Sequence, residues 1–440
     1  MGRRRRRREP ETARIASATH DGRGIAAIEG KKVFVAGALP GEAVRFQRRK
    51  FRRNFDEAEL LEVLEASPQR IEARCAVFGR CGGCSLQHIS ESAQRDIKQQ
   101  ALEDNFERIA KVTPGAWLEP MSGPAWHYRR RARLAVKDVH GKGRVLVGFR
   151  ERHAPFITDM HRCEILAEPV HELIDALSDL VGTLSIRARL PQVEVSVADN
   201  ATALVFRVLD PLTADDEARF REFGERHDVR IYLQPGGLES VGLFYPETAV
   251  EPLHYELPEF DVRIAFDPVG FVQVNRDINR RMVQQAVEML APGAGDRVLD
   301  LFCGIGNFSL PLARRCGEVL GVEGDAMLVK AAAANAALNG IDNARFRQAD
   351  LGAIDGSETW LRDGWDLLLL DPARSGAQEI AAHIDQIGPR RIVYVSCHPG
   401  TLARDAGVLV NEKGYRCESA GIIDMFPHTA HVESVAVFNK

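Results

Sequence analysis

A single thiol stands where an apolar strand is predicted to end, in the segment V-S-C-H-P at residues 395–399. Residues 391–395 are mostly β-prone, and Pro399 lacks the N–H that would continue a strand ladder. Open α/β sheets bind ligands at the carboxyl ends of their parallel strands, so Cys397 is a candidate nucleophile. The alternative is an inert packing role, because free cysteines are among the most buried residue types.

Three further thiols have the close spacing of a metal-ligand set. Cys75, Cys81 and Cys84 follow one another as C-x5-C-x2-C. The Gly-Gly pair inside the second interval lets the chain turn around a metal so that both flanking sulfurs point inward. Cys163, in the segment M-H-R-C-E-I, is the candidate fourth ligand.

The spacing of these thiols bears on the type of metal. Four thiolates fit either tetrahedral zinc or a [4Fe–4S] cluster. Zinc sites usually have two C-x2-C pairs, whereas this chain has one, so the spacing favours the cluster. His88 and His161 are poorer alternatives to Cys163 as fourth ligand, and a set of unrelated buried cysteines is the alternative to any metal site.

The C-terminal region contains a glycine-rich loop between a predicted strand and a predicted helix. Residues 297–301 form a short apolar strand that runs into F-C-G-I-G-N-F at 302–308, and a helix is predicted from near Ser309. Gly304 and Gly306 allow the backbone to approach a ligand closely at the helix N-terminus. A dinucleotide dehydrogenase would normally have G-x-G-x-x-G, but Ser309 stands at the third position. The loop resembles instead the S-adenosylmethionine loop of class I methyltransferases.

The predicted strands that follow this loop each end near a polar residue. Glu323 lies 19 residues after Gly304, where a carboxylate can accept both ribose hydroxyls. Asp350 follows the next strand and suits an adenine amino group, and Asp371 and Cys397 follow the last two. The ends of parallel strands share one edge of a sheet, so these side chains are expected to form a single site.

A thiol beside a methyl donor suits the methylation of carbon 5 of uracil, which is a poor nucleophile by itself. Addition of a thiolate to carbon 6 converts the ring into an enolate whose carbon 5 can attack the methyl group. A base must then remove the carbon 5 proton so that the thiol can leave. His428, His431 and Glu433 stand just before a predicted closing strand, and the alternative for Glu433 is a surface carboxylate. A base inside folded RNA would have to be flipped into the pocket.

The length and composition of the chain limit what can surround this site. A chain of 440 residues with 45% hydrophobic and 27% charged residues is expected to fold as two or three domains. No apolar run approaches the roughly 20 residues that span a membrane, and the basic start lacks the apolar segment of a secretion signal. We therefore expect a cytoplasmic monomer without membrane contact, in a reducing compartment where cysteines bind metal or react.

Positive charge is concentrated in the first third of the chain. Residues 1–150 contain 31 Lys and Arg against 18 Asp and Glu, whereas residues 151–440 contain 27 against 44. Basic clusters lie at 3–8, 48–53 and 126–133, the last two with aromatic residues among them. Cations that neutralise phosphates and rings that stack on bases suit nucleic acid. The alternative is a solvated charged face or, for residues 3–8, simple disorder.

The pattern of apolar and turn residues divides the chain into four regions. Residues 1–11 form a basic tail that is expected to be disordered. Residues 12–68 have short apolar strands with turn residues between them, which is typical of a compact β-barrel. Residues 69–265 are predicted to form a central α+β region with the cysteine cluster and a helix over about 91–111. Residues 266–440 alternate strands and helices, as in a Rossmann-like α/β fold.

Four long motifs resemble those of the RNA uracil-5 methyltransferase family. They are D-L-F-C-G-I-G-N-F, L-L-D-P-A-R-S-G, Y-V-S-C-H-P-G-T-L-A-R-D and D-M-F-P-H-T-A-H-V-E-S-V-A-V-F. In addition, H-D-G-R-G-I-A with V-F-V-A-G-A-L-P-G-E resembles the TRAM domain, an RNA-binding β-barrel. A TRAM domain together with the four-cysteine pattern is similar to a 23S rRNA branch of the family whose members bind [4Fe–4S]. The tRNA branch lacks both features, and a second rRNA branch has the cluster without TRAM.

The resemblance implies a reaction and the roles of individual residues. The implied reaction is S-adenosylmethionine-dependent methylation of carbon 5 of a specific uridine in 23S rRNA, with Cys397 as nucleophile and Glu433 as general base. The residues assigned to the pocket for cofactor and target base are Gln273, Phe302, Asn307, Glu323, Asp350 and Asp371. The residues assigned to the [4Fe–4S] cluster are Cys75, Cys81, Cys84 and Cys163. His398 departs from the family, which usually has Asn there, and this leaves open how the uracil or the loop is held.

Two other functions stay open at this point. One is the same chemistry on tRNA or on several RNAs, since substrate choice lies in the N-terminal and central regions and has no readable pattern. The other is a noncatalytic RNA-binding protein on a metal-stabilised scaffold. The second would be expected to have lost its pocket, so the intact Cys397, Glu433 and glycine loop argue against it.

Overall fold

The computed structural model of the protein describes residues 9–19, 21–248 and 250–440. The arginine run at 3–8 lies outside the described residues. The strands are β1 (Glu11–Arg14), β2 (Ser17–Ala18), β3 (Arg23–Ile28), β4 (Lys31–Ala36), β5 (Ala43–Phe51), β6 (Phe55–Glu65), β7 (Ala116–Trp117), β8 (Arg131–Val139), β9 (Arg144–Gly148), β10 (Gln192–Val197), β11 (Thr202–Arg207), β12 (Val229–Gln234), β13 (Gly242–Tyr245), β14 (His254–Leu257), β15 (Val262–Ala265), β16 (Arg297–Leu301), β17 (Glu318–Glu323), β18 (Ala344–Gln348), β19 (Leu367–Leu370), β20 (Arg391–Ser396), β21 (Arg416–Ile423) and β22 (Glu433–Asn439).

The helices connect and cover these strands. They are α1 (Glu91–Asn105), α2 (Leu173–Thr183), α3 (Ala214–His227), α4 (Arg276–Leu290), α5 (Ser309–Ala313), α6 (Ala326–Leu338), α7 (Gln378–Ala382), α8 (Ile384–Ile387) and α9 (Pro399–Asn411). A π-helical turn at Phe106–Ala110 extends α1. Among the described residues, no helix combines the length and the apolar character that a membrane crossing requires.

Strands β1 to β6 form one sheet in the order β1-β5-β6-β4-β3-β2. Its two edge strands, β1 and β2, are consecutive in the chain and separated only by Ile15 and Ala16, so the sheet must curl until its edges approach. The Ile15 amide donates to the Glu42 carbonyl beside one edge, and the Ala16 amide donates to the Ile25 carbonyl beside the other. Inward-facing side chains such as Val33 are fully buried. This curled sheet is consistent with the predicted β-barrel.

The central region contains a second six-stranded sheet, in the order β13-β12-β11-β10-β8-β9. β11 and β12 are parallel, and the other neighbours in this sheet are antiparallel. Helices α2 and α3 pack against it, with Leu177 of α2 and Phe220 of α3 in the same buried core as Val193 and Leu204 of the sheet. The core of this region also contains Cys163.

Eight strands form the largest sheet, in the order β18-β17-β16-β19-β20-β22-β21-β7. The five strands from β18 to β20 in this order are parallel, whereas β22 is antiparallel to both β20 and β21. Leu367 and Leu369 of β19 belong to one apolar core with α4, and Leu368 and Leu370 belong to another with α9. Helices therefore cover both faces, which explains why all four residues of this strand are apolar and buried.

Helix α1 and strand β7 precede the central sheet in the chain but pack on the C-terminal sheet. The helix starts at the N-cap residue Ser90, whose side chain accepts a hydrogen bond from the Ala93 amide. Its buried side, with Leu102 and Phe106, joins the apolar core around α9. β7 pairs in parallel with β21. The region predicted as 69–265 therefore contributes elements to both sheets.

Candidate active site and four-cysteine site

The predicted strand-end residues lie along one edge of the C-terminal sheet. The ladders pair Leu301, the last residue of β16, with Val322 of β17 and with Leu370 of β19, and they pair Leu370 with Tyr394 of β20. Phe302, Glu323 and Asp371 each stand at or just past these paired residues, and Cys397 lies slightly further along its own strand. This is the edge at which open α/β sheets bind ligands.

The loop after β16 turns sharply through its backbone. Phe302 has a φ of 66°, which is uncommon for a residue other than glycine, and its amide donates to the Val322 carbonyl at 2.9 Å. Gly304 and Gly306 follow with φ values of 55° and 96°. The Gly304 amide donates to Oε2 of Glu323 at 3.1 Å. The loop thus holds a strained backbone at a candidate ligand site, and strain of this kind clusters at functional sites.

Glu323 is fixed by backbone amides at the end of β17. Its Oε1 accepts hydrogen bonds from the Gly324 and Asp325 amides at 2.7 and 3.1 Å, in addition to the bond from Gly304 to Oε2. Asp350, which follows β18, is exposed and accepts a hydrogen bond from the Gly352 amide at 3.0 Å. Both carboxylates therefore have fixed orientations at the same edge of the sheet.

Asn307 is held from behind by two buried side chains. It exchanges hydrogen bonds with Asn279 of α4 at 3.0 and 3.1 Å and accepts one from the Tyr255 hydroxyl at 2.8 Å. These partners lie 28 and 52 residues away in the chain, and no local pattern in the sequence marks them. Gln273 is half-buried, two residues before Asn275, the N-cap of α4.

Strand pairing places Cys397 beside Glu433. Ser396 is opposite Ser434 in the antiparallel ladder between β20 and β22, so the next residue on β20 faces the residue before it on β22. Cys397 is half-buried, and Glu433 is 8% exposed. The structure thus brings the predicted nucleophile and the predicted base together, although 36 residues separate them in the sequence.

Burial raises the pKa values of three acids at this position, and repulsion by neighbouring carboxylates adds to the effect for two of them. Burial, with a smaller effect from the charge of Asp371, raises the pKa of Glu433 to about 8. Withdrawal from water raises the pKa of Asp371 to about 7. Burial and the charges of Glu433 and Asp371 raise the pKa of Cys397 to about 11. Groups with such shifted pKa values are typical of catalytic sites.

Arg374 supplies positive charge next to these acids. It lies in the loop after β19, and its Nη2 is 3.0 Å from Nδ1 of His431. Its charge lowers the pKa of both Cys397 and Glu433, against the larger effect of burial. Burial and the charge of Arg374 also lower the pKa of His431, which favours a neutral imidazole that accepts the bond. Arg374 was not predicted, and its place in the L-D-P-A-R motif is the signal that could have identified it.

His398 caps the helix that follows the nucleophile. Its Nδ1 accepts a hydrogen bond from the Thr401 amide at 3.2 Å, and Pro399 occupies the first turn of α9. Asparagine performs the same task at many helix N-termini, so this departure from the family keeps the local interaction. The imidazole therefore holds the backbone immediately after Cys397.

The four predicted cluster cysteines line one small cavity in the central region. The lining residues include Cys75, Cys81, Cys84, Cys163, Phe149 and Met160. The alternative ligands do not share this cavity. His88 packs against Phe78 with ring centroids 5.4 Å apart, and His161 is exposed with Asp175 at 2.9 Å.

The chemistry of this cavity fits a metal or an iron–sulfur cluster. Burial raises the pKa of Cys84 to about 11 and that of Cys163 to about 12. The Gly83 amide donates to Sγ of Cys81 at 3.4 Å, a contact that stabilises a thiolate. Four converging thiols in an apolar cavity are costly to ionise unless a cation binds among them, so the donor set suits thiolate ligation.

Much of the positive charge that suggested nucleic-acid binding is neutralised by ion pairs and hydrogen bonds within the fold. Arg48 is 6% exposed and paired with Asp56, and Arg130 is 7% exposed and paired with Asp199. Arg131 donates to two backbone carbonyls of the segment before α4. The cations of the two described clusters that stay exposed are Arg49, Lys50, Arg52, Arg53 and Arg133. Part of these two clusters therefore has a structural role, which differs both from nucleic-acid contact and from the alternative of a solvated charged face.

The chain matches one protein family over most of its length. The family model described as tRNA (Uracil-5-)-methyltransferase matches residues 91–440, which begin at α1. The 23S rRNA (uracil(1939)-C(5))-methyltransferase RlmD of Methylococcus capsulatus is 51% identical over 98% of this chain and 97% of its own. The proteins of the same name from Alkalilimnicola ehrlichii and Xanthomonas campestris are 51% and 49% identical, over 100% and 98% of this chain and 99% and 98% of their own.

A solved structure matches almost the whole fold. It is the tRNA (uracil-54, C5)-methyltransferase of Pyrococcus abyssi in complex with S-adenosyl-L-homocysteine, with a TM-score of 0.74 and 23% sequence identity. The match covers 97% of this chain and 100% of that one. The likeness confirms the predicted methyltransferase fold of the C-terminal region.

Proposed function

The chain belongs to the tRNA (uracil-5-)-methyltransferase family, and from that membership we propose that it methylates carbon 5 of one uridine in 23S rRNA, with S-adenosylmethionine as methyl donor. The observation that carries the proposal is the placement of Cys397 beside Glu433 at the edge that also holds the glycine loop. The relatives named RlmD support 23S rRNA as substrate, because they match along their whole length. Their name gives position 1939, and the equivalent uridine is the proposed target.

The proposed cofactor site uses the edge residues in distinct ways. Glu323 would accept the ribose hydroxyls, and Asp350 would accept from the adenine amino group. Phe302 and Asn307 would line the methionine end, with Asn307 oriented by Asn279. Asp371 and Gln273 are proposed to contact the uracil edge at least as much as the cofactor. The positions of these residues along one edge of the C-terminal sheet support this assignment.

The proposed reaction depends on Cys397 and Glu433 acting in sequence. The bound cofactor supplies an electrophilic methyl group. The Cys397 thiolate adds to carbon 6 of uracil, which places negative charge on the ring and makes carbon 5 nucleophilic. After methyl transfer, the Glu433 carboxylate removes the carbon 5 proton, and the electrons of that bond expel Cys397 from carbon 6. The positive charge of Arg374 would stabilise the Cys397 thiolate and the Glu433 carboxylate, the two anions that these steps require.

We propose that Cys75, Cys81, Cys84 and Cys163 hold a [4Fe–4S] cluster. The convergence of four thiols on one apolar cavity supports a thiolate-bound group, and the single C-x2-C pair favours iron–sulfur over zinc. Anaerobically purified protein should be brown and contain about four iron and four sulfide per chain. Stoichiometric zinc without iron would overturn this assignment.

RNA binding is proposed for the curled N-terminal sheet as a TRAM domain, together with the exposed cations Arg52, Arg53 and Arg133. Because 23S rRNA is the proposed substrate, we propose that the protein acts in the cytoplasm. We also propose that it acts as a monomer, which light scattering of the purified protein would test. The deciding experiment maps 5-methyluridine in 23S rRNA and tRNA from a strain that lacks this protein. Loss of one modified uridine from 23S rRNA alone is expected, whereas loss from tRNA would favour the alternative substrate.

A further inference from the structure

The segment that carries Cys84 is hydrogen-bonded to the loop that leads to Glu433. We call residues 424–432, between β21 and β22, the base loop. The amides of Ser85 and Leu86, which directly follow Cys84, both donate to the carbonyl of His428, at 2.9 and 3.0 Å. The four-cysteine site and the candidate general base are therefore linked through one carbonyl oxygen.

Gln94 of α1 joins the same two segments through its side chain. Its Nε2 lies 3.1 Å from the Leu86 carbonyl and 2.8 Å from the Ile89 carbonyl, on the cysteine side. The same nitrogen lies 3.1 Å from Nδ1 of His428, and its Oε1 accepts from the His428 amide at 2.8 Å. Gln94 is 1% exposed, so these bonds are shielded from solvent.

Other buried contacts hold the remainder of the base loop. Nζ of Lys98, one turn further along α1, donates to Asp424 at 2.6 Å and to the Phe426 carbonyl at 3.0 Å. The Tyr128 hydroxyl donates to the Pro427 carbonyl at 3.0 Å. All of these partners come from the segment 85–128, which also continues from the cysteine cluster.

His428 has a backbone conformation that depends on these surrounding contacts. It is fully buried and has a φ of 64°, a conformation that is unfavourable for a residue with a side chain. The Trp126 ring covers its imidazole with centroids 3.9 Å apart. A strained residue persists only where its surroundings over-determine it, so release of the Gln94 and Ser85 bonds would free the base loop to change.

We infer that Gln94 is a positioning residue for Glu433, through which the occupied four-cysteine site fixes the geometry of the base loop. The inference rests on the proposed function and adds a reason for the cysteine site to lie beside a methyltransferase domain. Its expected consequence is specific to the second half of the reaction. A displaced base loop should slow removal of the carbon 5 proton, while addition of Cys397 and methyl transfer continue.

The test compares Gln94→Ala with Gln100→Ala, each purified anaerobically as the full chain. Gln100 is on the same helix, but its side chain is exposed and donates to Asp104 on the surface, so it provides a matched control. With Gln94→Ala, the methylated covalent complex of protein and RNA should accumulate on denaturing gels, and product formation should fall at least about tenfold, as expected from a displaced general base. The control should behave as the native protein.

Hydrogen exchange gives a readout that does not depend on activity. Gln94→Ala should exchange faster at 424–433 than the native protein, while residues 302–308 and the affinity for S-adenosylhomocysteine stay unchanged. Native protein stripped of metal by a chelator under argon should show the same local change, which keeps the test decisive if the variant does not fold. Exchange and product formation within about twofold of native in Gln94→Ala would overturn the inference, as would loss of protection throughout the C-terminal sheet. Absence of 5-methyluridine formation by the native protein would instead refute the proposed function.

Discussion

Replacing Glu433 with glutamine should abolish its proposed role as a base while leaving a side chain of nearly the same size. The carboxylate must be ionised to accept the carbon 5 proton, and a pKa of about 8 leaves about one-tenth of it ionised at pH 7. Removal of the carbon 5 proton from the methylated covalent complex, in which Cys397 is already bonded to carbon 6, should therefore become about tenfold faster between pH 7 and pH 9. Glu433→Gln should turn over about 10²–10⁴-fold more slowly, without that rise, and should accumulate the covalent complex.

The same pKa predicts a change in stability. Folding raises the pKa of Glu433 from 4.5 to about 8, so the folded protein binds this proton more tightly than the unfolded chain does. The contribution of the protonated group to the free energy of unfolding is complete below pH 4.5, and it is lost as the pH rises through 8. Between pH 5 and pH 8 the loss amounts to about 3 kcal/mol. Glutamine does not titrate, so the stability of Glu433→Gln does not have this loss. Between pH 5 and pH 8, the free energy of unfolding of the variant should therefore rise by about this amount relative to that of the native protein.

Two assays check these expectations. Release of tritium from 23S rRNA labelled at carbon 5 of uridine measures the proton-removal step, and thermal unfolding of both proteins at pH 5 and pH 8 measures the change in stability. Glu288→Gln, on the exposed side of α4, is the matched control. The reasoning about this buried carboxyl would be refuted by either of two results. One is a rate of proton removal by the native protein that does not change from pH 7 to pH 9, and the other is a difference in stability between native protein and Glu433→Gln that is the same at pH 5 and pH 8.

Three other substitutions test the neighbouring residues. Cys397→Ala should eliminate methyl transfer and the covalent complex while RNA and S-adenosylhomocysteine still bind in equilibrium assays, and measurable turnover would contradict covalent catalysis. Arg374→Met should raise the pKa of Cys397 and Glu433, so that thiol alkylation of Cys397 and the acidic limb of the rate profile both move to higher pH, with recovery in Arg374→Lys. His398→Asn should retain activity because asparagine also caps a helix, whereas His398→Ala should lose about 1 kcal/mol of stability in thermal unfolding.

The sequence was sufficient to predict the elements that carry the site. The strand predicted at 297–301 coincides with β16, and the strand predicted to end before Asp371 is β19. A parallel strand buried on both faces is mostly apolar, and β19 is so throughout, whereas β16 is interrupted by the buried Asp300. The predicted strand ends indicated Glu323, Asp371 and Cys397 as site residues. The pairing of β20 with β22 was not predictable in register, and it is this register that places Glu433 beside the thiol.

Other features depend on contacts that leave no local pattern. Gln94 and His428 are 334 residues apart in the chain, and their hydrogen bonds follow from how α1 docks, not from its own periodicity. The basic residues Arg48 and Arg130 looked available for RNA because their partners Asp56 and Asp199 are distant or lie on a neighbouring strand. Charge runs show where cations are, but only packing shows which of them are already neutralised.

The pairing of β7 with β21 has a consequence for the synthesis of the protein. Trp117 is opposite Ala420, so about 300 residues must be translated before this strand can find its neighbour. At about 5–20 residues per second, that interval lasts about 15–60 s. During this time the apolar side of α1, with Leu102 and Phe106, has no C-terminal core to cover it. The nascent chain therefore exposes an apolar, aggregation-prone helix for most of its translation. This is the stage at which binding of a chaperone would be most useful.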